Sequence, residues 1–269
     1  MLEPWTRLED ASDESRFGGK AVELGRAMRA GLPVPPGVAI AHADAARACA
    51  AEWAEARAAL VANLGGMVAV RSSAVGEDGA GASFAGQHLT VLCVKSGDAV
   101  ARAVNDVVLS GNTASALAYR AKLGLPAEPH MGVVVQTLVQ AEVAGVMFTR
   151  NPLTGADERM IEATWGLGEA VVQGLVTPDR YTIDKTGNVL EAVMGDKDIA
   201  LVWAAEGGTE EIAVDARRAS SLCLDAARLA SLHDLALRCE REWQGAHDIE
   251  FAFAGTSTYL LQRRAITRG

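Results

Sequence analysis

Apolar and polar positions alternate most regularly near the C-terminal end of the chain. Asp248-Ile249-Glu250-Phe251-Ala252-Phe253-Ala254 and Thr258-Tyr259-Leu260-Leu261-Gln262-Arg263-Arg264 flank Gly255-Thr256-Ser257, which predicts a hairpin. With the turn centred on Thr256, Ala254 falls opposite Thr258, Ala252 opposite Leu260, Glu250 opposite Gln262 and Asp248 opposite Arg264. A period of two then groups Asp248, Glu250, Gln262 and Arg264 on one face, with Ala252, Ala254 and Leu260 beside them. Ile249, Phe251, Phe253, Tyr259 and Leu261 fall on the other. Upstream, short apolar runs predict strands at 68–70, 89–94, 132–139, 143–149 and 160–163. A further hairpin, 180–184 with 189–193, turns at Thr186-Gly187-Asn188. Helical periodicity starts at Ala21, Leu24 and Met28 and stops at Gly31 and Pro33. It returns over 44–64, 98–109 and 113–123. It returns again where Asp225 caps a helix carrying Leu229, Leu232, Ala236, Cys239 and Trp243.

Charge and composition narrow the function. A chain of 269 residues can bury one large core or two lobes. A net charge of −9 argues against a broad nucleic-acid surface and leaves room for a local cationic phosphate pocket. Cys49, Cys93, Cys223 and Cys239 form no CxxC pair, and the five histidines are scattered, so the pattern indicates no zinc site and fits a reduced cytoplasm. Glu3, Asp10 and Asp13 stand where a signal peptide needs an apolar run. No stretch approaches a membrane span.

Four segments carry candidate chemistry. On the hairpin, a carboxylate beside an amide oxygen suits magnesium, which prefers hard oxygen ligands and keeps water and phosphate in its shell. The neighbouring Arg264 offers a planar fork for phosphate oxygens. The same alternation fits the polar outer face of an edge hairpin. Gly18-Gly19-Lys20 opens a helix, a place where backbone N–H groups and a lysine can meet an anion. The spacing is not that of a Walker A loop. Arg71 ends an apolar strand just before a loop with Gly76, Gly79, Gly81 and Gly86, and glycines let backbone amides approach phosphate closely. The apolar strand at 132–139 and its connector fit an adenine slot, and equally a plain core strand.

These blocks, taken in order, resemble a known family. They are Gly18-Gly19-Lys20-Ala21, Gly31-Leu32-Pro33-Val34-Pro35-Pro36-Gly37, Val70-Arg71-Ser72-Ser73-Ala74, Glu77-Asp78, Ser83-Phe84-Ala85-Gly86-Gln87 and Gly145-Val146-Met147-Phe148-Thr149. Trp165-Gly166-Leu167-Gly168-Glu169, Gly174-Leu175-Val176-Thr177-Pro178-Asp179, Asp248-Ile249-Glu250 and Leu260-Leu261-Gln262-Arg263-Arg264-Ala265-Ile266-Thr267 follow. Together they resemble the ATP-binding domain shared by phosphoenolpyruvate synthase, pyruvate phosphate dikinase and the rifampicin phosphotransferases. The resemblance implies an α+β ATP-grasp fold, two lobes with mixed or antiparallel sheets and flanking helices closing on a nucleotide. It implies a first lobe over 1–130, with the lysine, arginine and phosphate loop, and a second over 131–269, with the adenine hinge and magnesium hairpin. Lys20 and Arg71 resemble the phosphate-contacting pair, and Gly81, Ser83, Phe84, Ala85 and Gly86 the loop over the phosphates. Gln136, Thr137, Leu138 and Val139 resemble the hinge along adenine. Glu250 and Gln262 resemble the ligands of Mg2+, and Arg264 the arginine beside the transferred group.

Two departures stand out. Arg263 and Ala265 replace the family's usual Ser or Thr and Pro, and the segment between Ile40 and Met67 is shorter than usual. The family's full enzymes go on to a domain whose histidine carries phosphate, and none of the five histidines here lies in such a segment. The expectation is therefore an ATP-dependent phosphotransferase half-reaction that passes a phosphoryl or pyrophosphoryl group to a histidine on a partner domain or chain. Direct transfer to a small molecule and a non-catalytic ATP-sensing module are the alternatives. No nucleic-acid or membrane partner is expected.

Overall fold

A computed structural model describes residues 2–76, 89–122 and 129–266. The α+β class is as expected, and the chain divides into two units. One gathers Pro35–Leu138 with the N-terminal segment through Arg29 and with Ala205–Gly208. The other takes Ala30–Val34, Val139–Ala204 and the chain from Thr209 on.

In the first unit the strands are β1 (Thr6–Arg7), β2 (Gly37–Ile40), β3 (Val68–Ala74), β4 (Thr90–Val94) and β5 (Met131–Thr137). They form an antiparallel sheet in the order β1-β2-β5-β3-β4. The helices are α1 (Glu14–Phe17), α2 (Gly19–Arg29), α3 (Ala45–Cys49), α4 (Ala54–Asn63), α5 (Gly97–Ser110) and α6 (Ala114–Lys122). One sheet face buries Val38, Ile40, Val68, Val70, Val133 and Val135 against Val61, Val100, Val104 and Val107 of α4 and α5. Alternation sends Arg71 and Ser73 to the opposite face, where the α1–α2 junction docks. There a Cβ on Gly18 would lie 1.7 Å from the Ser73 carbonyl oxygen, and one on Gly132 would lie 2.3 Å from that of Phe17. Gly18 also has φ +78°, which L side chains rarely adopt.

Three expectations change here. Residues 131–137, assigned from sequence to the second lobe, form β5 at the centre of the first sheet, hydrogen-bonded to β2 and β3. The strand expected at 68–70 runs on through Arg71-Ser72-Ser73 to Ala74, buried at every residue. The helix expected over 44–64 is broken: Ala50 is extended and a 3-10 turn covers Ala51–Trp53. The buried Arg57 fills the break, donating to the carbonyls of Ala48 (2.9 Å) and Ala50 (2.8 Å), and also to that of Gly97 (3.0 Å).

In the second unit the strands are β6 (Val143–Phe148), β7 (Arg159–Trp165), β8 (Asp179–Ile183), β9 (Val189–Val193), β10 (Ile199–Trp203), β11 (Thr209–Ala213), β12 (His247–Ala254) and β13 (Ser257–Ala265). β13-β12-β6-β7-β8-β9 form an antiparallel sheet, and β10 pairs with β11 apart from it. The helices are α7 (Glu169–Val172), α8 (Ala216–Ala219) and α9 (Ala226–Glu242). Asp225 caps α9 as expected, accepting from the Arg228 N–H at 2.8 Å. The face bearing Ile249, Phe251, Phe253, Met147 and Ile161 is fully buried. α9 lies on that side, since Arg228 stacks over Phe253. Buried Asp179 braces the same face, accepting from Lys197 at 2.5 Å and from the N–H groups of Gly195 and Cys223 at 2.8 Å. Among the described residues no helix is long and apolar enough to cross a membrane.

Candidate functional site

The hairpin places its polar residues as the alternation requires. Asp248 pairs with Arg264 and Glu250 with Gln262, while β6 supplies Phe148 and Val146 on the other side of β12. Gln262 is buried, and Asp248, Glu250 and Arg264 are half-buried. Beyond Glu250 the register shifts by one residue: Phe251 pairs with Leu260, Ala252 with Tyr259 and Ala254 with Ser257. Leu261 is the extra residue of a bulge, and the turn is the two-residue Gly255-Thr256. This corrects the expected faces. Leu260 moves to the buried side at 0% exposure. Tyr259 and Leu261 come to the side of Glu250, where they pack with Val139, Ala141, Ala144, Ala252 and Ala254. An apolar cluster thus shares one sheet face with a carboxylate, an amide and an arginine. Sequence alternation alone hid it, because a bulge reverses every position beyond it. The same face carries Glu162 of β7, level with Glu250 across Val146 and 3.5 Å from Arg180. The alternating pattern of β7 was the signal for that carboxylate.

The donor set fits a hard divalent cation. Glu250 supplies an anionic oxygen, and its direct cross-strand neighbour Gln262 has a neutral amide oxygen. With one protein carboxylate in the pair, coordination positions remain for phosphate oxygens and water.

In the first unit, Lys20 and Arg71 are 4% and 8% exposed. The Ala21 N–H donates to the Ser73 hydroxyl at 2.9 Å, pinning the start of α2 to β3. Arg71 lies two residues before Ser73 on the same strand face, so this bond brings the lysine-bearing helix start to the arginine-bearing face. One N–H expected to be available to an anion is therefore already engaged. Gly81, Ser83, Phe84, Ala85 and Gly86, with Glu77, Asp78 and Gln87, lie outside the described residues. The described root of that loop is fixed by Val75 N–H to the His130 carbonyl (3.0 Å) and by Gly76 N–H to Glu14 (3.3 Å).

The expected hinge is held at several points. The Gln136 side chain donates to the Pro35 carbonyl at 2.9 Å, and the Thr137 hydroxyl to the Leu64 carbonyl at 3.0 Å. The N–H groups of Thr137 and Leu138 donate to the carbonyls of Pro36 (2.9 Å) and Met67 (3.0 Å). These two amides serve the fold. Val139 belongs to the apolar cluster of the second unit. A separate cavity of about 830 Å³ is lined by Thr149 to Gly155, Lys185, Glu240, Gly245, Ala246 and Ile266, and holds none of the site residues expected from sequence.

Residues 50–269 match the family described as pyruvate phosphate dikinase, AMP/ATP-binding domain. A phosphotransferase of Bacillus subtilis, YvkC, is 41% identical over 202 residues, covering 74% of this chain and 24% of that protein. The phosphoenolpyruvate synthase of Pyrococcus furiosus is 38% identical over 211 residues, covering 74% of this chain and 26% of that protein. The prodigiosin synthesizing transferase PigC of Serratia marcescens is 34% identical over 282 residues, covering 94% of this chain and 32% of that protein. The chain thus spans about a quarter to a third of the length of these curated relatives.

Proposed function

The chain belongs to the pyruvate phosphate dikinase AMP/ATP-binding domain family, and on that premise we propose that it activates Mg-ATP and passes a phosphoryl or pyrophosphoryl group to a histidine on a partner domain or chain, in the cytoplasm. The observation that carries this reading is the pairing of Glu250 with Gln262 and Asp248 with Arg264 on one sheet face beside an apolar cluster. Glu250 and Gln262 would hold magnesium, which neutralises phosphate charge when bound. The half-buried Tyr259 and Leu261 at the edge of this cluster offer adenine an apolar face. Lys20 and Arg71 bind phosphate oxygens, and their burial strengthens each charge-assisted contact by excluding competing water. Arg264 places its fork where charge develops on the transferred group. Phosphoryl transfer needs little beyond such positioning and neutralisation.

The test uses ATP labelled separately at the β and γ positions, incubated with this chain and a histidine-bearing domain taken from one of its relatives. The expected result is an acid-labile, base-stable phosphohistidine on the added domain, with the label distribution showing whether one or two phosphates leave together. Arg264→Ala should suppress transfer more than ATP binding, because its role lies in the transition state. Rapid turnover of a small-molecule acceptor by the chain alone would replace this reading with direct transfer. Tight ATP binding without transfer to any acceptor would replace it with a sensing module.

A further inference from the structure

On the buried side of β13, behind Gln262 and Arg264, three side chains from separate elements lock together. His247, the first residue of β12, is fully buried. Its Nδ1 lies 3.2 Å and 3.0 Å from two nitrogens of the Arg263 guanidinium, and its Nε2 lies 3.1 Å from the Trp243 carbonyl. Arginine can only donate, so Nδ1 must hold a lone pair and Nε2 the proton. One neutral tautomer therefore satisfies both neighbours at once. The Arg263 guanidinium also sits over the Trp243 ring, 4.8 Å from its centroid. Trp243 caps the end of α9, with its N–H donating to the Cys239 carbonyl at 2.8 Å. The His247 backbone is fixed in turn to β6's end, through its N–H to the Thr149 hydroxyl (2.9 Å) and its carbonyl to the Thr149 N–H (2.8 Å).

We propose that Trp243, His247 and Arg263 form a latch that sets the position of Gln262 and Arg264 relative to Glu250. Arg263 stands between those two residues in sequence and points to the opposite face, paired with Ile249. Fixing Arg263 therefore fixes the twist of the strand segment that carries both. This segment adjoins the bulge at Leu261, where the ladder itself holds the strand least well. A guanidinium held by a ring face and an imidazole nitrogen has one allowed orientation, unlike a flexible surface arginine. The residues are positioning residues, since none of them reaches the nucleotide face. The proposal rests on the assignment of Glu250 and Gln262 to magnesium.

Calorimetry of ATP and adenosine binding across a magnesium series, with Glu250→Gln measured in parallel, tests it. Arg263→Met, which keeps the apolar stem and removes the donors, should weaken magnesium-dependent ATP binding about tenfold and leave adenosine affinity unchanged. Arg263→Lys should show the same selective loss if Arg263→Met does not fold. His247→Gln retains an acceptor and a donor and should stay within about threefold of wild type, as should Trp243→Phe, which retains the ring. An effect of Glu250→Gln with none from Arg263→Met would overturn the latch while leaving the metal assignment standing. Equal losses for ATP and adenosine in both Arg263 variants would also overturn it. No change in magnesium dependence with Glu250→Gln would remove the metal assignment and the latch with it.

Discussion

β3 and β12 both carry candidate ligands, and they carry them in opposite ways. In β12 the polar residues alternate with Ile249, Phe251 and Phe253, and the strand has one buried and one half-open face. In β3 all seven residues are buried, and Arg71, Ser72 and Ser73 follow one another with no pattern to separate them. The difference comes from what covers each sheet. α9 lies over one face of β12, whereas β3 has α4 and α5 on one side and the α1–α2 junction on the other. A ligand set on a half-covered strand announces itself by period two. A cation inside a doubly covered strand does not.

The largest effect should break the β3 side. Gly18→Ala puts a Cβ into the Ser73 carbonyl and strains a backbone at φ +78°. The expected cost is about 3 kcal/mol or more of stability, with ATP binding lost because the helix start carrying Lys20 moves off β3. Chemical denaturation followed by ATP titration measures both. Unchanged stability would mean that the junction does not depend on this close approach.

On the β12 side the next effect depends on pH. Burial, then the Arg263 charge, lowers the His247 pKa from its ordinary 6.5 to about 4. The unfolded chain takes up this proton at higher pH than the folded one. Stability should therefore be fully present above about pH 6.5 and fall as pH drops toward 4, by about 3 kcal/mol from this group. Burial also lowers the pKa of His42 and His233, which act with the same sign. Unfolding curves of wild type and His247→Gln from pH 7.5 to 4 should converge in slope only if His247 contributes nothing.

Arg71→Ala and Glu250→Gln compare the two sites directly. Each removes a charge-assisted contact of about 1.5–3 kcal/mol, so ATP affinity should fall about ten- to hundredfold while adenosine affinity holds. They should differ in magnesium dependence: Glu250→Gln should flatten it and Arg71→Ala should keep it. The same magnesium response in both variants would erase the distinction between a phosphate-binding strand and a metal-binding one.

The smallest effect is Ser73→Ala, which removes the hydroxyl that receives the Ala21 N–H at 2.9 Å. A loss of about 1 kcal/mol is expected, comparable with other side-chain bonds to the first turn of a helix. A larger fall in ATP affinity than in stability would show that Ser73 orients Lys20 as well as anchoring α2.

The sequence by itself determined the cap of α9 at Asp225 and the shared face of Asp248 and Glu250 on β12. These follow from local rules of period and cap that act within a few residues, whereas Lys20 and Arg71 stood out through the family resemblance. The tertiary structure decided the bulge at Leu261, and with it the passage of Tyr259 and Leu261 to the Glu250 face. It also decided that 131–137 belongs to the first sheet, that Arg57 fills a helix break and that Arg263 turns away from Arg264 to lock onto Trp243 and His247. For β5 and for Arg263 the deciding contact joins segments well apart in sequence. Which strand lies beside an apolar run, and which carbonyl a buried arginine must satisfy, depends on packing that no local period records.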